Sequence, residues 1–385
     1  MSEPSGHLLL CGGLSYDRPA GVGAAVEEIF ALAPAVRALG PQSKVLLKPN
    51  LLAKHPPEHA VTTHPVVVAA VIDALHRRGV TQITLADSSG GLYTEGGMRA
   101  VYRASGLLEV CERMGVAVWG KTTSGTRVVE GTRVHQFTLI DPVLECDFLI
   151  DLAKLKTHVM TGMTAGVKNL FGCIPGLQKA EMHMRFPQRE DFGEMLCDLC
   201  CAVQPQLVIV DGITAMEGNG PAGGTVREEG LLLGGDDVWQ LDLAVAQLMG
   251  LDSQRVPYLA AGARRGLCGT NLDPAALAPG SDPVRPLQNW QLPQSFRSLT
   301  FQEKFPTGLR WAGPFVSRIA APRPVIRKSK CIGCGRCAEI CPGKTIRLQN
   351  HKAVIDPSGC IRCFCCHEMC PEKAIDVRRI AFFKL

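Results

Sequence analysis

The sequence predicts an α/β domain with a largely parallel sheet, followed by a small, cysteine-rich α+β domain. Apolar strand-like runs alternate with segments of helical periodicity through 1–266, an order typical of a parallel sheet covered by helices. Paired cysteines dominate 324–385, where they flank a strand-turn-strand pattern. Between these two domains, 267–323 is rich in proline and aromatic residues, and we expect it to form a strap that packs on the first domain.

The elements of the α/β domain follow from its apolar periodicity. Strands are predicted at 7–11, 44–47, 82–86, 116–119, 148–152, 207–210 and 231–233. Helices are predicted at 22–39 with a kink at Pro34, and at 66–78, 98–114, 194–203 and 239–249. Thr63 is the expected cap of the second helix, with Pro65 in its first turn.

The C-terminal domain contains one cysteine motif twice, with matched positions 29 residues apart. The first copy is Cys331, Cys334, Cys337 and Cys341-Pro342, and the second is Cys360, Cys363, Cys366 and Cys370-Pro371. This is the spacing of bacterial two-cluster ferredoxins, in which the fourth cysteine of each copy ligates the other cluster. The sequence therefore predicts two 4Fe-4S clusters, one held by Cys331, Cys334, Cys337 and Cys370 and the other by Cys360, Cys363, Cys366 and Cys341.

Paired CxxC motifs also bind zinc, which is the main alternative. Two zinc sites would not require a duplicated CxxCxxCxxxCP order, whereas two cubane clusters account for all eight cysteines of the two copies. Cys365 is left over as a packed thiol or a spare ligand. Apolar residues near the motifs, including Ile332, Ile340 and Ile361, are expected to limit the access of water to the clusters.

Composition places the chain among soluble globular proteins. It has 385 residues, 46% of them hydrophobic and 20% charged, and no run long enough to span a membrane. The first residues lack a basic secretory signal, and cysteines in cluster spacing indicate a reducing compartment, so we expect a cytoplasmic protein. The basic C-terminal domain can attract an acidic electron donor or acceptor protein, or can simply compensate the anionic clusters. Nucleic-acid binding is not expected, because no aromatic residues alternate with the basic ones.

Polar residues follow several predicted strands, at the edge where open α/β sheets bind ligands. The segments are Lys48-Pro49-Asn50, Asp87-Ser88-Ser89-Gly90-Gly91, Lys154-Leu155-Lys156-Thr157-His158, Asp211-Gly212 with Glu217-Gly218-Asn219, and Gly234-Gly235-Asp236. Lysines and an amide there can hold a carboxylate or phosphate. We assign ligand or cofactor binding to Lys48, Asn50, Asp87, Asn169 and Asp211, and catalytic roles to Lys156, His158 and Lys168.

Glycine-rich segments do not complete a familiar nucleotide loop. Gly21-Val22-Gly23 lacks a third glycine, and 218–224 lacks the Lys-Ser/Thr of a phosphate loop. The segment 162–176 instead combines glycines with Lys168, Asn169 and Cys173, which is consistent with a loop that wraps a ligand. An ordinary irregular crossover without a function is the alternative.

These segments carry a family resemblance. Lys48-Pro49-Asn50, Lys154-Leu155-Lys156-Thr157-His158, 166–176, Glu181-Met182-His183 and Val210-Asp211-Gly212 resemble domain-of-unknown-function family 362 over roughly Leu8 to Gly266. Members of this family often carry a C-terminal two-cluster ferredoxin domain. The resemblance implies this architecture and the clusters, and it implies no reaction.

The sequence favours a protein that passes low-potential electrons between its clusters and a small anionic ligand or cofactor in the α/β domain. A non-redox binding or sensing module with structural clusters is the alternative, and a racemase, ligase or transferase with an appended ferredoxin is a third. A further flavin or metal in the α/β domain is left open. Cys197, Cys200 and Cys201 lie within one predicted helix, where three thiols are more often core residues than metal ligands.

Overall fold

A computed structural model describes residues 7–91, 93–296 and 321–378. Its strands are β1 (Leu8–Cys11), β2 (Lys44–Pro49), β3 (Gln82–Leu85), β4 (Ala117–Val118), β5 (Ser124–Val128), β6 (Gln136–Ile140), β7 (Phe148–His158), β8 (Gly162–Thr164), β9 (Leu207–Glu217), β10 (Thr225–Gly235), β11 (Arg323–Ile326), β12 (Ile346–Gln349), β13 (Lys352–Ile355) and β14 (Ile375–Arg378). Its α-helices are α1 (Pro19–Leu32), α2 (Pro65–Arg77), α3 (Glu95–Ala104), α4 (Leu107–Met114), α5 (Asp141–Glu145), α6 (Gly166–Asn169), α7 (Gln178–Arg185), α8 (Arg189–Val203), α9 (Val238–Leu248), α10 (Pro257–Arg264), α11 (Arg336–Glu339) and α12 (Cys365–Glu368).

One central sheet organises the α/β domain. Its strand order is β1-β10-β9-β7-β2-β3-β4, with β8 paired to β7. The pairs from β9 through β4 are parallel, whereas β1, β10 and β8 run antiparallel to their neighbours. The predicted mostly parallel α/β sheet is therefore confirmed.

Helices cover both faces of this sheet, because alternate strand residues point to opposite sides. Val45 and Leu47 of β2 pack with α1, α2 and α4, and Leu46 packs on the opposite side with α8, α9 and α10. Strands buried on both faces place their carboxyl ends together at one edge, where ligand sites form in open sheets.

Three predictions for this domain need correction. The segment Gly234-Gly235-Asp236 ends an antiparallel strand, since Gly235 pairs with Val208 at the start of β9, so it lies at the opposite edge from the other polar segments. The single helix expected at 98–114 is two helices, because Gly106 adopts a φ of +73° between them. His64, not Thr63, caps α2.

The strap is described only in part. Residues 267–296 pack on the α/β domain, where Ala278 donates to the carbonyl of Leu8 at 2.8 Å and Phe296 joins the hydrophobic core. Phe301, Phe305, Trp311 and Phe315, which we expected to anchor the strap, lie outside the described residues.

Two small antiparallel sheets form the C-terminal domain. β11 pairs with β14, and β12 pairs with β13 as the hairpin that the sequence predicts. Asn350 and His351 turn this hairpin with φ values of +48° and +56°, as a two-residue turn between twisted strands requires. Ile340 is buried as expected, but Ile332 is 62% exposed and does not shield its motif from water.

Candidate redox site

Eight cysteines of the C-terminal domain line two separate cavities. Cys331, Cys334, Cys337 and Cys370 line one cavity of about 370 Å³, and Cys341, Cys360, Cys363 and Cys366 line another of about 340 Å³. Backbone N–H groups of Thr345 and Ala374 donate to the sulfurs of Cys341 and Cys370 at 3.4 and 3.2 Å. Four thiols around each cavity, with N–H donors to sulfur, are the groups that a cubane cluster needs.

A third cavity lies between the α/β domain and the C-terminal domain. It encloses about 720 Å³ including its mouth, and its walls come from the carboxyl ends of β2, β3 and β7, from the β8–α7 segment and from α12. Ile340, Cys365, Glu368 and Met369 are the contribution of the C-terminal domain. We call this space the interdomain cavity.

A chain of buried polar side chains forms the floor of the interdomain cavity. Lys156 donates to Asn50 Oδ1 at 2.7 Å, Asn50 donates to Asn169 Oδ1 at 2.6 Å, and Asn169 donates to Asp151 Oδ1 at 2.7 Å. Lys156 also donates to the carbonyl of Val61 at 2.6 Å, but it pairs with no carboxylate among the described residues. Burial without such a partner lowers the pKa of Lys156 to about 7.

Two further lysines border the cavity. Lys168 Nζ lies 4.5 Å from the centroid of the Phe171 ring and makes no hydrogen bond to any residue that the structure describes. Lys179 donates to the carbonyl and hydroxyl of Ser88, both at 2.8 Å, and to the carbonyl of Ile174 at 2.7 Å. Burial lowers the pKa of Lys168 and brings the pKa of Lys179 to about 7. Lys156, Lys168 and Lys179 therefore border the cavity without an ion pair to a carboxylate among the described residues.

A close contact between His158 and Glu368 joins the two domains across the cavity. His158 Nε2 lies 3.2 Å from Glu368 Oε1. His158 Nδ1 accepts from the backbone N–H groups of Met160 and Thr161 at 3.1 and 3.3 Å, so the neutral ring carries its proton on Nε2, facing Glu368. Burial lowers the pKa of His158 and would raise that of Glu368, but His158 and then Lys168 outweigh it and hold the pKa of Glu368 at about 2. Nε2 of His158 therefore faces a carboxylate.

Several buried polar atoms on the cavity wall have no hydrogen-bond partner in the described part of the chain. They are Asp87 Oδ1, Thr164 Oγ1, His183 Nδ1 and Glu368 Oε1. Buried polar atoms without partners are costly, and they concentrate where a ligand or ordered water completes the bonding. The wall therefore offers polar atoms to a ligand or to water, beside lysines that form no ion pair among the described residues.

Cys365 links the interdomain cavity to one cysteine set. Its thiol is buried and lines the cavity, and the next residue in the chain, Cys366, belongs to the set around the 340 Å³ cavity. Cys363 of the same set packs with Ala180 of the cavity wall. Among the described residues no cysteine of the other set lines the cavity, although Met369, which precedes Cys370 of that set, does. The second predicted cluster would therefore have the more direct contact with this space.

Most of the predicted site residues meet at the interdomain cavity. Asn50, Asp87, Lys156, His158, Lys168 and Asn169 line it. Lys48 lies behind the wall, where it forms a buried ion pair with Asp87.

Asp211 lies elsewhere. It pairs with Lys154 Nζ at 2.8 Å and accepts from the Tyr16 hydroxyl at 2.6 Å.

Sequence reasoning missed the residues that reach the cavity from a distance. Lys179 follows the glycine-rich segment and was recognisable only as a lysine on an amphipathic helix. Glu368, Met369 and Cys365 come from the second cysteine repeat, and no local pattern indicates that this face contacts the α/β domain. Their role depends on how the two domains dock.

The fold and these cavities define a class, namely an α/β domain fused to a ferredoxin-like iron-sulfur domain. Residues 45–247 match the family described as a domain of unknown function, DUF362, and residues 323–371 match the 4Fe-4S dicluster domain. The chain belongs to the DUF362 family, and its C-terminal domain is a 4Fe-4S ferredoxin-like domain. The predicted family and arrangement are confirmed.

Two relatives are similar to parts of the chain. A thylakoid-associated protein of Synechocystis sp. is 37% identical over 263 residues, which cover 68% of this chain and 79% of that protein. Ferredoxin-2 of Desulfomicrobium norvegicum is 50% identical over 30 residues, or 8% of this chain and 51% of the ferredoxin.

A crystal structure of a Thermotoga maritima protein is 12% identical with a TM-score of 0.32, covering 54% of this chain and 52% of that one, a likeness too low to extend the description. Within the described residues, no helix is both long and apolar enough to cross a membrane.

Proposed function

We propose that this chain is a redox protein that carries two 4Fe-4S clusters and exchanges electrons with a small anion bound in the interdomain cavity. In this proposal Cys331, Cys334, Cys337 and Cys370 hold the first cluster, and Cys360, Cys363, Cys366 and Cys341 hold the second. The clusters supply one-electron transfer. The rest of the chemistry falls to side chains of the cavity.

The observation that carries the proposal is the wall that the two domains share. Cys365 contributes to the interdomain cavity and precedes Cys366 directly in the chain. A molecule in the cavity would therefore touch a residue that is covalently adjacent to a ligand of the second cluster. Fusion of the two domains holds donor and acceptor in this arrangement permanently.

The charge of the cavity supports an anionic ligand. Lys156 is buried, Lys168 is half-buried, and neither pairs with a carboxylate among the described residues. A buried ammonium without a counter-ion is strongly unfavourable. A carboxylate or phosphate between them would supply the missing counter-charge through charge-assisted hydrogen bonds. Lysine Nζ and the unpartnered Thr164 hydroxyl would then orient the anion.

A proton donor borders the interdomain cavity, where the bound ligand would be reduced. Adding an electron to a bound anion increases its negative charge, which a proton can neutralise. The ammonium of Lys156 borders the cavity, and burial lowers its pKa to about 7. Lys156 therefore releases its proton more readily than a lysine in water, which suits it to donate to the reduced ligand.

Anaerobic purification tests the proposal. We expect about eight iron and eight sulfide per chain, and a small anion released by heating that mass spectrometry identifies. That anion should reoxidise the reduced clusters faster than buffer does when absorbance is followed by stopped flow. Lys168→Met is the matched variant, which should keep its iron but lose the bound anion.

Two results would count against the proposal. Full clusters with no released anion would favour a module whose clusters are structural or report redox state. Zinc in place of iron would overturn the assignment of both cysteine sets.

A further inference from the structure

The two cysteine repeats present equivalent faces, of which only one is covered by residues that the structure describes. In the second repeat, Ile361, Cys363 and Cys365 pack around Ala180 of α7, so the α/β domain covers this face. The positions 29 residues earlier are Ile332, Cys334 and Arg336, and all three are exposed. The same local fold therefore contacts a partner surface in one copy and solvent in the other.

Exposure on the first repeat is unusual for these residue types. Ile332 is 62% exposed, the second largest value among the exposed large hydrophobic residues of the described chain. All 17 cysteines lie in the described residues, and Cys334 is the one that is exposed. An exposed apolar residue beside an exposed cluster ligand is typical of a surface that another protein covers.

Charge also differs between the two copies. Lys328, Lys330 and Arg336 surround the first motif, and all three are exposed. Their equivalents in the second repeat are Pro357, Gly359 and Cys365, which are uncharged. If the basic residues only compensated for cluster charge, both copies would need them, since each would hold the same kind of cluster. These three basic residues occur on the uncovered copy, whereas the second copy has Arg362 at the position of Gly333.

We propose that the face formed by Lys328, Lys330, Ile332, Cys334 and Arg336 is the docking surface for an acidic one-electron carrier protein. This inference rests on the two clusters of the proposed function, but not on the anion in the cavity. Each docking transfers one electron, so the carrier is oxidised by one electron and the first cluster is reduced by one, with no bond made or broken. The second cluster then connects this surface to the interdomain cavity.

The test uses a reduced plant-type ferredoxin, a small acidic protein, as the probe carrier. Stopped-flow absorbance measures how fast it reduces the clusters of the full-length protein at low and high salt. The variant Lys328→Glu/Lys330→Glu/Arg336→Glu should be reduced at least about tenfold more slowly at low salt, and its rate should no longer fall as salt rises.

A matched variant separates a local surface from overall charge. Lys44→Glu/Arg103→Glu/Lys121→Glu makes the same charge change at exposed positions of the α/β domain, and its rate should stay within about twofold of the unmodified protein. Photoreduced deazaflavin, a small reductant, should reduce all three proteins alike, which verifies that the clusters are intact.

Equal slowing by both triple variants, or none by the first, would overturn the docking surface. A failure of the cavity proposal would leave these rates unchanged, so the two failures are distinguishable.

Discussion

Lys154 and Lys156 lie two residues apart on β7, and both are buried, yet their surroundings differ. Lys154 donates to Asp211 at 2.8 Å, to the Tyr16 hydroxyl at 2.9 Å and to Thr214 at 3.3 Å, so a carboxylate and two hydroxyls satisfy it. Among the described residues, Lys156 contacts an amide and a carbonyl but no carboxylate, and the Nζ of Lys168 lies only near aromatic rings. The first arrangement is complete without a ligand and the second is not, which distinguishes a structural lysine from a binding one.

Breaking the ion pair between Lys154 and Asp211 should give the largest loss of stability. Asp211→Asn leaves Lys154 buried without a counter-ion, and we expect the free energy of unfolding to fall by about 3–5 kcal/mol. Chemical denaturation followed by circular dichroism measures this change. Replacing both residues, as Lys154→Met/Asp211→Asn, should recover most of the loss. A loss unchanged in the double variant would show that the pair is not the source of stability.

The next largest loss of stability is expected from a larger side chain at Gly172, which packs closely against the buried pair of Lys48 and Asp87. A Cβ at Gly172 would lie 2.5 Å from Asp87 Oδ2 and 2.8 Å from Lys48 Nζ, so Gly172→Ala must displace this buried ion pair. We expect a loss of about 1–3 kcal/mol in unfolding free energy. Gly96→Ala is the control, since no atom lies within 4 Å of its added Cβ within helix α3, and it should stabilise by about 0.5–1 kcal/mol. Equal effects of the two changes would contradict the account.

Replacing Lys168, which forms no ion pair among the described residues, should weaken anion binding with little loss of stability. Lys168→Met keeps the length of the side chain without its charge, so we expect the affinity for sulfate, a simple dianion, to fall at least about tenfold. Unfolding free energy should change by less than about 1 kcal/mol or rise, since no ion pair is broken. Isothermal titration calorimetry measures the sulfate affinity, and chemical denaturation measures the free energy of unfolding. The exposed Lys121→Met is the control. Unchanged sulfate affinity would place the anion elsewhere.

Affinity for the same dianion should also depend on pH. The pKa values of Lys156 and Lys179 lie near 7 in the empty cavity, below the ordinary value for lysine, so both lose their protons as pH rises through 7. Sulfate keeps its charge over this range. We therefore expect its affinity to fall between about pH 7 and pH 9, with a shallower fall for Lys156→Met. Affinity that is constant with pH would show that these lysines do not hold the anion.

Local sequence patterns predicted the features that depend on residues close together in the chain. The duplicated cysteine spacing predicts each cysteine set, and strands that end in lysine or asparagine predict most of one cavity wall. Asp236 was placed at the wrong edge because apolar periodicity does not report strand direction. Asp211 was grouped with the cavity because it also follows a parallel strand, although Lys154 and Tyr16 already satisfy it.

Domain docking could not be predicted from these patterns. Glu368 and Cys365 reach the cavity because the second repeat, together with Ile340 of the first, packs against α7. The two repeats share their cysteine spacing and differ in side chains whose partners lie more than 150 residues away, as in the contact of His158 with Glu368. Contacts of this kind leave no local periodicity.

A redox titration of the two clusters in the Lys168→Met variant tests the central claim most directly. Lys168 borders the cavity close to Cys365, so loss of its charge should lower the midpoint potential of one cluster, on the order of tens of millivolts, and leave the other nearly unchanged. Lys121→Met should shift neither. Equal shifts of both clusters, or no shift of either, would contradict a cavity that is coupled mainly to the second cluster.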